Sequence, residues 1–208
     1  MAELPALRPS VQAYLTAGGQ ERADAARYRR AILDAARDLM RGEAVPSVSM
    51  TDIAVRAGVG QGTLYRKFPA KGHVAAALLA EAMLDLEGEL LRRRDAGEEP
   101  EALLRWFVAR LAGFVAERAD LVAVTMSKQD MATGWHEQTG PVIWIVHVLA
   151  TLFVASGAVA DTDDGLDRAR MLLPHFLMPG DLSAAPARTA YSARIERLLQ
   201  LLINARCS

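Results

Sequence analysis

The stretch that most constrains this chain runs from Ser49 to Pro69, because its punctuation leaves little conformational choice. Ser49 is a helix-capping residue, and Asp52 stands three positions on, where its carboxylate can return the bond to the cap. Ile53, Ala54 and Ala57 form a narrow apolar stripe whose alanines let a second helix approach closely. Gly58 ends that helix, and Val59 plugs the turn between Gly58 and Gly60. Gln61 to Phe68 then carries a helix of about two turns, with Leu64 and Phe68 four residues apart on one face, and Pro69 stops it.

The remaining residues extend the same class. The chain has 208 residues, 51% of them hydrophobic, enough for a real core. Ala, Leu, Arg and Glu predominate, and no stretch alternates β-branched or aromatic residues with polar ones, so the expectation is all-α. Ile32, Leu33, Ala36, Leu39 and Met40 give a first firm helix from about Ala26, closed by Gly42 and Pro46. Further helices are expected from Gly72 to about Arg94, and over Glu101–Arg118, Leu121–Met131, Pro141–Ala158, Asp164–Met178 and Pro186–Ala205. Residues 1–25, with Pro5, Pro9, Gly18 and Gly19, read as a flexible arm, 26–84 as an N-terminal three-helix unit with its long connecting helix, and 85–208 as a helical body.

Pro141 to Ala160 is twenty residues long without a formal charge unless His147 is protonated, which by length alone permits a membrane span. Its flanks are acidic, with Glu137 before it and Asp161, Asp163 and Asp164 after it, and no Lys/Arg cluster sets an orientation. It reads instead as a buried central helix, apolar on every face and surrounded by its neighbours. Membrane partners are not expected. Met1 to Ser10 lack the basic and apolar regions of a secretory signal, and the lone Cys207 allows no intrachain disulfide or cysteine metal cluster, so a cytoplasmic home is expected.

The net charge of −1 hides an asymmetry. Residues 1–75 hold 11 Lys/Arg against 7 Asp/Glu, and residues 76–208 hold 13 against 18. A basic N-terminal third beside an acidic remainder suits a local polyanion-binding surface.

Two short helices around a glycine turn make a helix-turn-helix, whose second member lies in the major groove of DNA. The segment Ser47 to Leu78, SVSMTDIAVRAGVGQGTLYRKFPAKGHVAAAL, closely resembles the N-terminal domain of the TetR family of regulators, the match extending from about Arg30 into the long helix. The resemblance implies a three-helix DNA-binding unit, a connecting helix and an effector-binding, dimerising helical body. It also implies a homodimer on a palindromic, double-stranded operator, released by a small molecule.

The residue chemistry agrees. Gln61 and Thr63 can reach base edges, the glutamine amide suiting adenine, and Gly62 lets the backbone approach the duplex. Tyr65, Lys67 and Lys71 occupy positions that commonly touch phosphates in the family, and Arg66 shares the outward face. Ser49 and Thr51 add hydroxyls and free amides at a helix N-terminus. Gly60 departs from the family's usual Ser or Thr cap, and Ala70 and Gly72 from a polar cap and an acidic residue.

The resemblance places the effector cavity among the central helices. Trp106, Arg110 and Phe114 could line it, with Met126, Met131 and Trp135 further on and Trp144, His147 and Phe153 on the apolar helix. Such a lining suits a small, largely apolar or aromatic effector. For the dimer interface the resemblance, with the apolar stripes, points to Leu166, Leu173 and Phe176 on one helix and Ile195, Leu198, Leu199 and Leu202 on the last.

No cofactor or metal site is expected. His136 and His147, eleven residues apart, would lie about 16 Å apart on one helix, too far to share an ion. No nucleophile elbow, phosphate loop or metal-ligand pair points to an enzyme. The alternatives are a DNA-binding regulator or architectural protein without a small-molecule effector, and a small helical enzyme.

Overall fold

The computed structural model describes residues 4–5, 23–42, 45–125 and 140–205. The described residues form helices and connections without a strand: α1 (Ala23–Gly42), α2 (Met50–Ala57), α3 (Gln61–Lys67), α4 (Lys71–Asp95), α5 (Pro100–Glu117), α6 (Ala119–Thr125), α7 (Gly140–Ala155), α8 (Thr162–Leu177) and α9 (Ala185–Asn204). The all-α expectation is met. The segment expected to be helical over Leu121–Met131 is described only to Thr125, and most of the arm over 1–25 lies outside the described residues.

These residues divide into two compact units: 23–42, 45–83 and 120–125 in one, and 4–5, 84–119 and 140–205 in the other. In the first, α1, α2, α3, the start of α4 and part of α6 close around Ile32, Ile53, Leu64, Phe68 and Val74, all at most 2% exposed. Ala57 and Val59 pack against the edge of that core. Arg29 lays its guanidinium 5.0 Å from the Phe68 ring centre, and Arg56 of α2 pairs with Asp38 of α1 at 3.2 Å.

In the second unit α5 packs against α7 and α9, and α8 lies along α7. The approach of α8 to α7 is so close that a Cβ at Gly165 would stand 2.8 Å from the Ala150 carbonyl oxygen, so glycine sets this helix spacing. Tyr191 on α9 donates its phenol to the His175 carbonyl at 3.0 Å, and burial pushes its pKa up to about 12. On α4, Glu89 holds Arg92 and Arg93, and Arg93 also reaches Glu98 beyond the helix end.

The apolar α7 differs in one respect from its expectation. Trp144, Val148, Leu149, Leu152 and Phe153 are buried, but Ile143 is 54% exposed and His147 is exposed with it. With α5 and α8 packed on it, a strip four residues in period is left facing out. No helix among the described residues is long and apolar enough to cross a membrane.

Candidate DNA-binding site

The site is built on α2 and α3. Ser49 caps α2 through the capping box: its hydroxyl oxygen accepts from the Asp52 amide at 3.1 Å, and its own amide donates to Asp52 Oδ2 at 2.9 Å. Hydrogen bonds from the Ser49 hydroxyl and backbone hold the Asp52 carboxyl below its ordinary range. At the other end Gly58 adopts φ +66°, the left-handed conformation that favours glycine. Its amide then reaches Val55 O at 3.2 Å while Val59 reaches Ala54 O at 3.1 Å, the pair of bonds that completes a Schellman motif.

That turn launches α3 with Leu64 buried against the core and its opposite face outside. Gln61, Gly62, Tyr65 and Arg66 are exposed, and Thr63 and Lys67 are half-buried. Tyr65 is 46% exposed, a large aromatic that gains little from its own protein. Among the described residues, Gln61 Nε2 donates to Thr51 Oγ1 at 3.2 Å, so the ends of α2 and α3 share a polar edge. A Cβ added at Gly62 would meet nothing within 4 Å, so neither strain nor packing demands glycine there. Gly60 has no side chain to cap α3, and the Thr63 and Leu64 amides bond instead to its carbonyl at 2.9 and 3.1 Å.

Lys71 occupies a place the sequence pattern does not disclose. Its ammonium donates to Val45 O at 3.1 Å and to Pro46 O and Val48 O at 3.0 Å each. Three donors on three carbonyls engage the lysine's whole donor set in the connection between α1 and α2. Asp120 Oδ2 holds the same connection by accepting from the Val45 amide at 3.0 Å. Neither long-range partner leaves a periodic signal in the sequence.

The described residues named for an effector lie in different surroundings. Trp106 lies under the Arg93 guanidinium at 4.6 Å and Phe114 under that of Arg118 at 5.4 Å. Arg110 and His147 are exposed, and Phe153 is fully buried. Trp144 packs edge-on to Phe107, ring centres 5.6 Å apart, and its indole N–H donates to Pro5 O at 2.9 Å. Met126, Met131 and Trp135 lie outside the described residues. A groove of about 440 Å³ does open in the second unit, bounded by Leu4, Arg94, Leu103, Thr151, Leu152 and Ala155, and none of the described effector residues named from sequence borders it.

The residues named for a dimer interface divide. Phe176, Ile195 and Leu199 are buried within the chain, and Leu166, Leu173, Leu198 and Leu202 are half-buried. The apolar groups that stand out from α8, its C-terminal end and α9 are Met171 at 61%, Met178 at 77% and Leu201 at 67% exposure.

The family model of bacterial regulatory proteins, tetR family, matches residues 32–78, which span the end of α1 through the start of α4. The HTH-type transcriptional repressor KstR of Mycobacterium tuberculosis is 31% identical over 179 residues, covering 85% of this chain and 80% of that protein. KstR of Mycolicibacterium smegmatis is 26% identical over 85% of this chain and 87% of its own length. Among solved structures, the TetR-family repressor FadR of Thermus thermophilus, in complex with lauroyl-CoA, has a TM-score of 0.65 at 21% identity, covering 86% of this chain and 97% of that one. NalD, the secondary repressor of a multidrug efflux pump in Pseudomonas aeruginosa, has a TM-score of 0.57 at 19% identity, covering 86% and 96%. With its capped helix-turn-helix, its helical body and a repressor homologue aligned over most of its length, the chain belongs to the TetR family of transcriptional regulators.

Proposed function

We propose that this protein is a cytoplasmic, homodimeric repressor that binds a palindromic operator and is released by a small molecule. The observation that carries the reading is the outward face of α3, where Gln61, Gly62, Tyr65 and Arg66 are exposed on a helix anchored by buried Leu64. An open glycine beside hydrogen-bonding, aromatic and cationic groups suits close approach to base edges and phosphates. Ser49 and Thr51 extend the phosphate-contacting edge, with Lys67 and Lys71 adding positive charge beside it. No catalytic role is assigned.

Met171, Met178 and Leu201, with half-buried Leu166, Leu173, Leu198 and Leu202, offer the apolar face for the second copy. Pairing through α8 and α9 would set the two recognition helices about one DNA turn apart, ~34–36 Å. The effector is placed in the body. The groove beside Leu103 and Leu152, edged by Arg94, Glu98 and Glu99, suits a ligand with an apolar body and a polar end. Lauroyl-CoA, bound by the Thermus thermophilus protein, is the first probe to try.

Gel-shift and footprinting of the region upstream of the protein's own gene test the reading. The expected result is a protected palindrome at moderate salt, lost on addition of an effector. Failure to protect any palindrome would overturn operator binding, and protection insensitive to every ligand tried would favour a regulator without an effector.

A further inference from the structure

Thr51 is the second residue of α2 and Gln61 the first of α3, and the donation from Gln61 Nε2 to Thr51 Oγ1 at 3.2 Å joins them. Both are exposed. A solvent-facing glutamine otherwise samples many rotamers, each presenting its amide differently. Here one hydrogen bond donated to the preceding helix favours a single placement of the side-chain end on the face that the proposed function turns toward DNA.

The valence of the amide decides what remains. A glutamine carries two N–H donors and one carbonyl acceptor. One N–H goes to Thr51, leaving one donor and the acceptor, the complement that adenine presents in the major groove at N7 and N6. The hydroxyl of Thr51 accepts this bond and keeps its own proton, which no other hydrogen bond among the described residues engages. That proton is available for a phosphate oxygen beside the N-terminal turn of α2. No Cβ at Gly62 crowds the approach, and the Gly60 cap adds no competing side-chain acceptor.

We infer that Thr51 is a positioning residue for base recognition: it orients the Gln61 amide so that the protein reads an adenine in each operator half-site. This inference rests on the operator-binding reading above and adds to it the base and the residue that aims the reader. A threonine serving only as a phosphate contact would change affinity for all sequences alike, whereas a positioning residue changes discrimination at one base pair.

The test is selection of random-sequence duplexes by the full-length chain, followed by sequencing and by binding titrations on the enriched site and its single-base variants. The wild type is expected to enrich a palindrome with one adenine per half-site that the Gln61→Ala variant no longer requires. Thr51→Val keeps the side-chain size and removes the acceptor. Discrimination at that adenine is expected to fall from about tenfold or more to within about threefold, with the rest of the motif kept. Thr51→Ser, which retains the hydroxyl, is expected to restore it, and thermal melts of all variants verify folding. A Thr51→Val protein with the wild-type adenine preference, or one weakened equally on every sequence, overturns the inference while leaving operator binding intact. A wild type that enriches no motif overturns operator binding, and this inference with it.

Discussion

The two units of this chain are stabilised in different ways. The helix-turn-helix is held by devices that act over a few residues: a reciprocal Ser49–Asp52 cap, a left-handed Gly58, and Leu64 and Phe68 four apart on one face. The body is held by contacts between one helix and the next, such as Gly165 of α8 against Ala150 of α7 and the Tyr191 phenol of α9 on the His175 carbonyl of α8. Local devices determine where a helix starts and stops. Only distant contacts determine which helix it meets, and so where an exposed face or groove is left.

Substitutions can break that contrast. Phe68→Ala, which empties a fully packed site and removes the ring under Arg29, is expected to cost about 3–5 kcal/mol and to abolish DNA binding, measured by urea unfolding and gel shift. Lys71→Met is the sharper case, because it attacks a long-range pin in the unit whose helix ends are set locally. Loss of a cation from three backbone carbonyls is expected to cost about 2–4 kcal/mol, and a midpoint unchanged in urea would show that the pin contributes nothing. In the body, Gly165→Ala forces α8 away from α7 and is expected to cost about 1–3 kcal/mol, with DNA affinity retained by the molecules still folded.

Tyr65→Ala is expected to leave the melting temperature within a degree or two while weakening DNA binding about tenfold, since the ring is largely exposed. Binding that survives unchanged would remove Tyr65 from the site. The smallest effect is expected from pH. The Asp52 carboxyl is held below its ordinary range in the folded chain, so its cap contributes above the unfolded value of about 3.9 and is lost as pH falls through the lower folded value. A slight drop in melting temperature below about pH 4, smaller in Asp52→Asn than in the wild type because Glu89 and Asp181 still titrate, is the expected signature.

Much of this was legible beforehand where physics is local. The helix boundaries around Ser49, Gly58 and Pro69, the outward position of Gln61 and Tyr65, and the capless start of α3 at Gly60 were all readable in residue order. Lys71 was readable as a cation at a position that commonly touches phosphates in the family, and not as a structural pin. Its engagement with the α1–α2 connection, 23 to 26 residues away, follows from the fold, which brings the first residue of α4 beneath that loop. The apolar run in α7 was expected to be covered all round, and the chain leaves Ile143 and His147 outside. Hydropathy reports what a residue prefers and not how many neighbours reach it.

The stripes on α8 and α9 illustrate the same limit. Leu166, Leu173, Phe176, Ile195, Leu198, Leu199 and Leu202 share the apolar spacing of an interface, yet that spacing serves equally for an internal core, and Phe176, Ile195 and Leu199 are buried within the chain. Met171 and Leu201 emerged as exposed only once each helix had a rotation.

By itself the sequence determined that this chain is helical and where its helix-turn-helix begins, turns and stops, because caps, glycine conformations and four-residue spacings are properties of short segments; the family showed as a resemblance over Ser47 to Leu78. The tertiary structure alone decided that Lys71 secures a loop, that Thr51 grips Gln61, and that a groove opens beside Leu103 and Leu152. Those features arise where distant segments meet, and a meeting is set by the sum of many weak packing contacts that no single stretch of residues encodes.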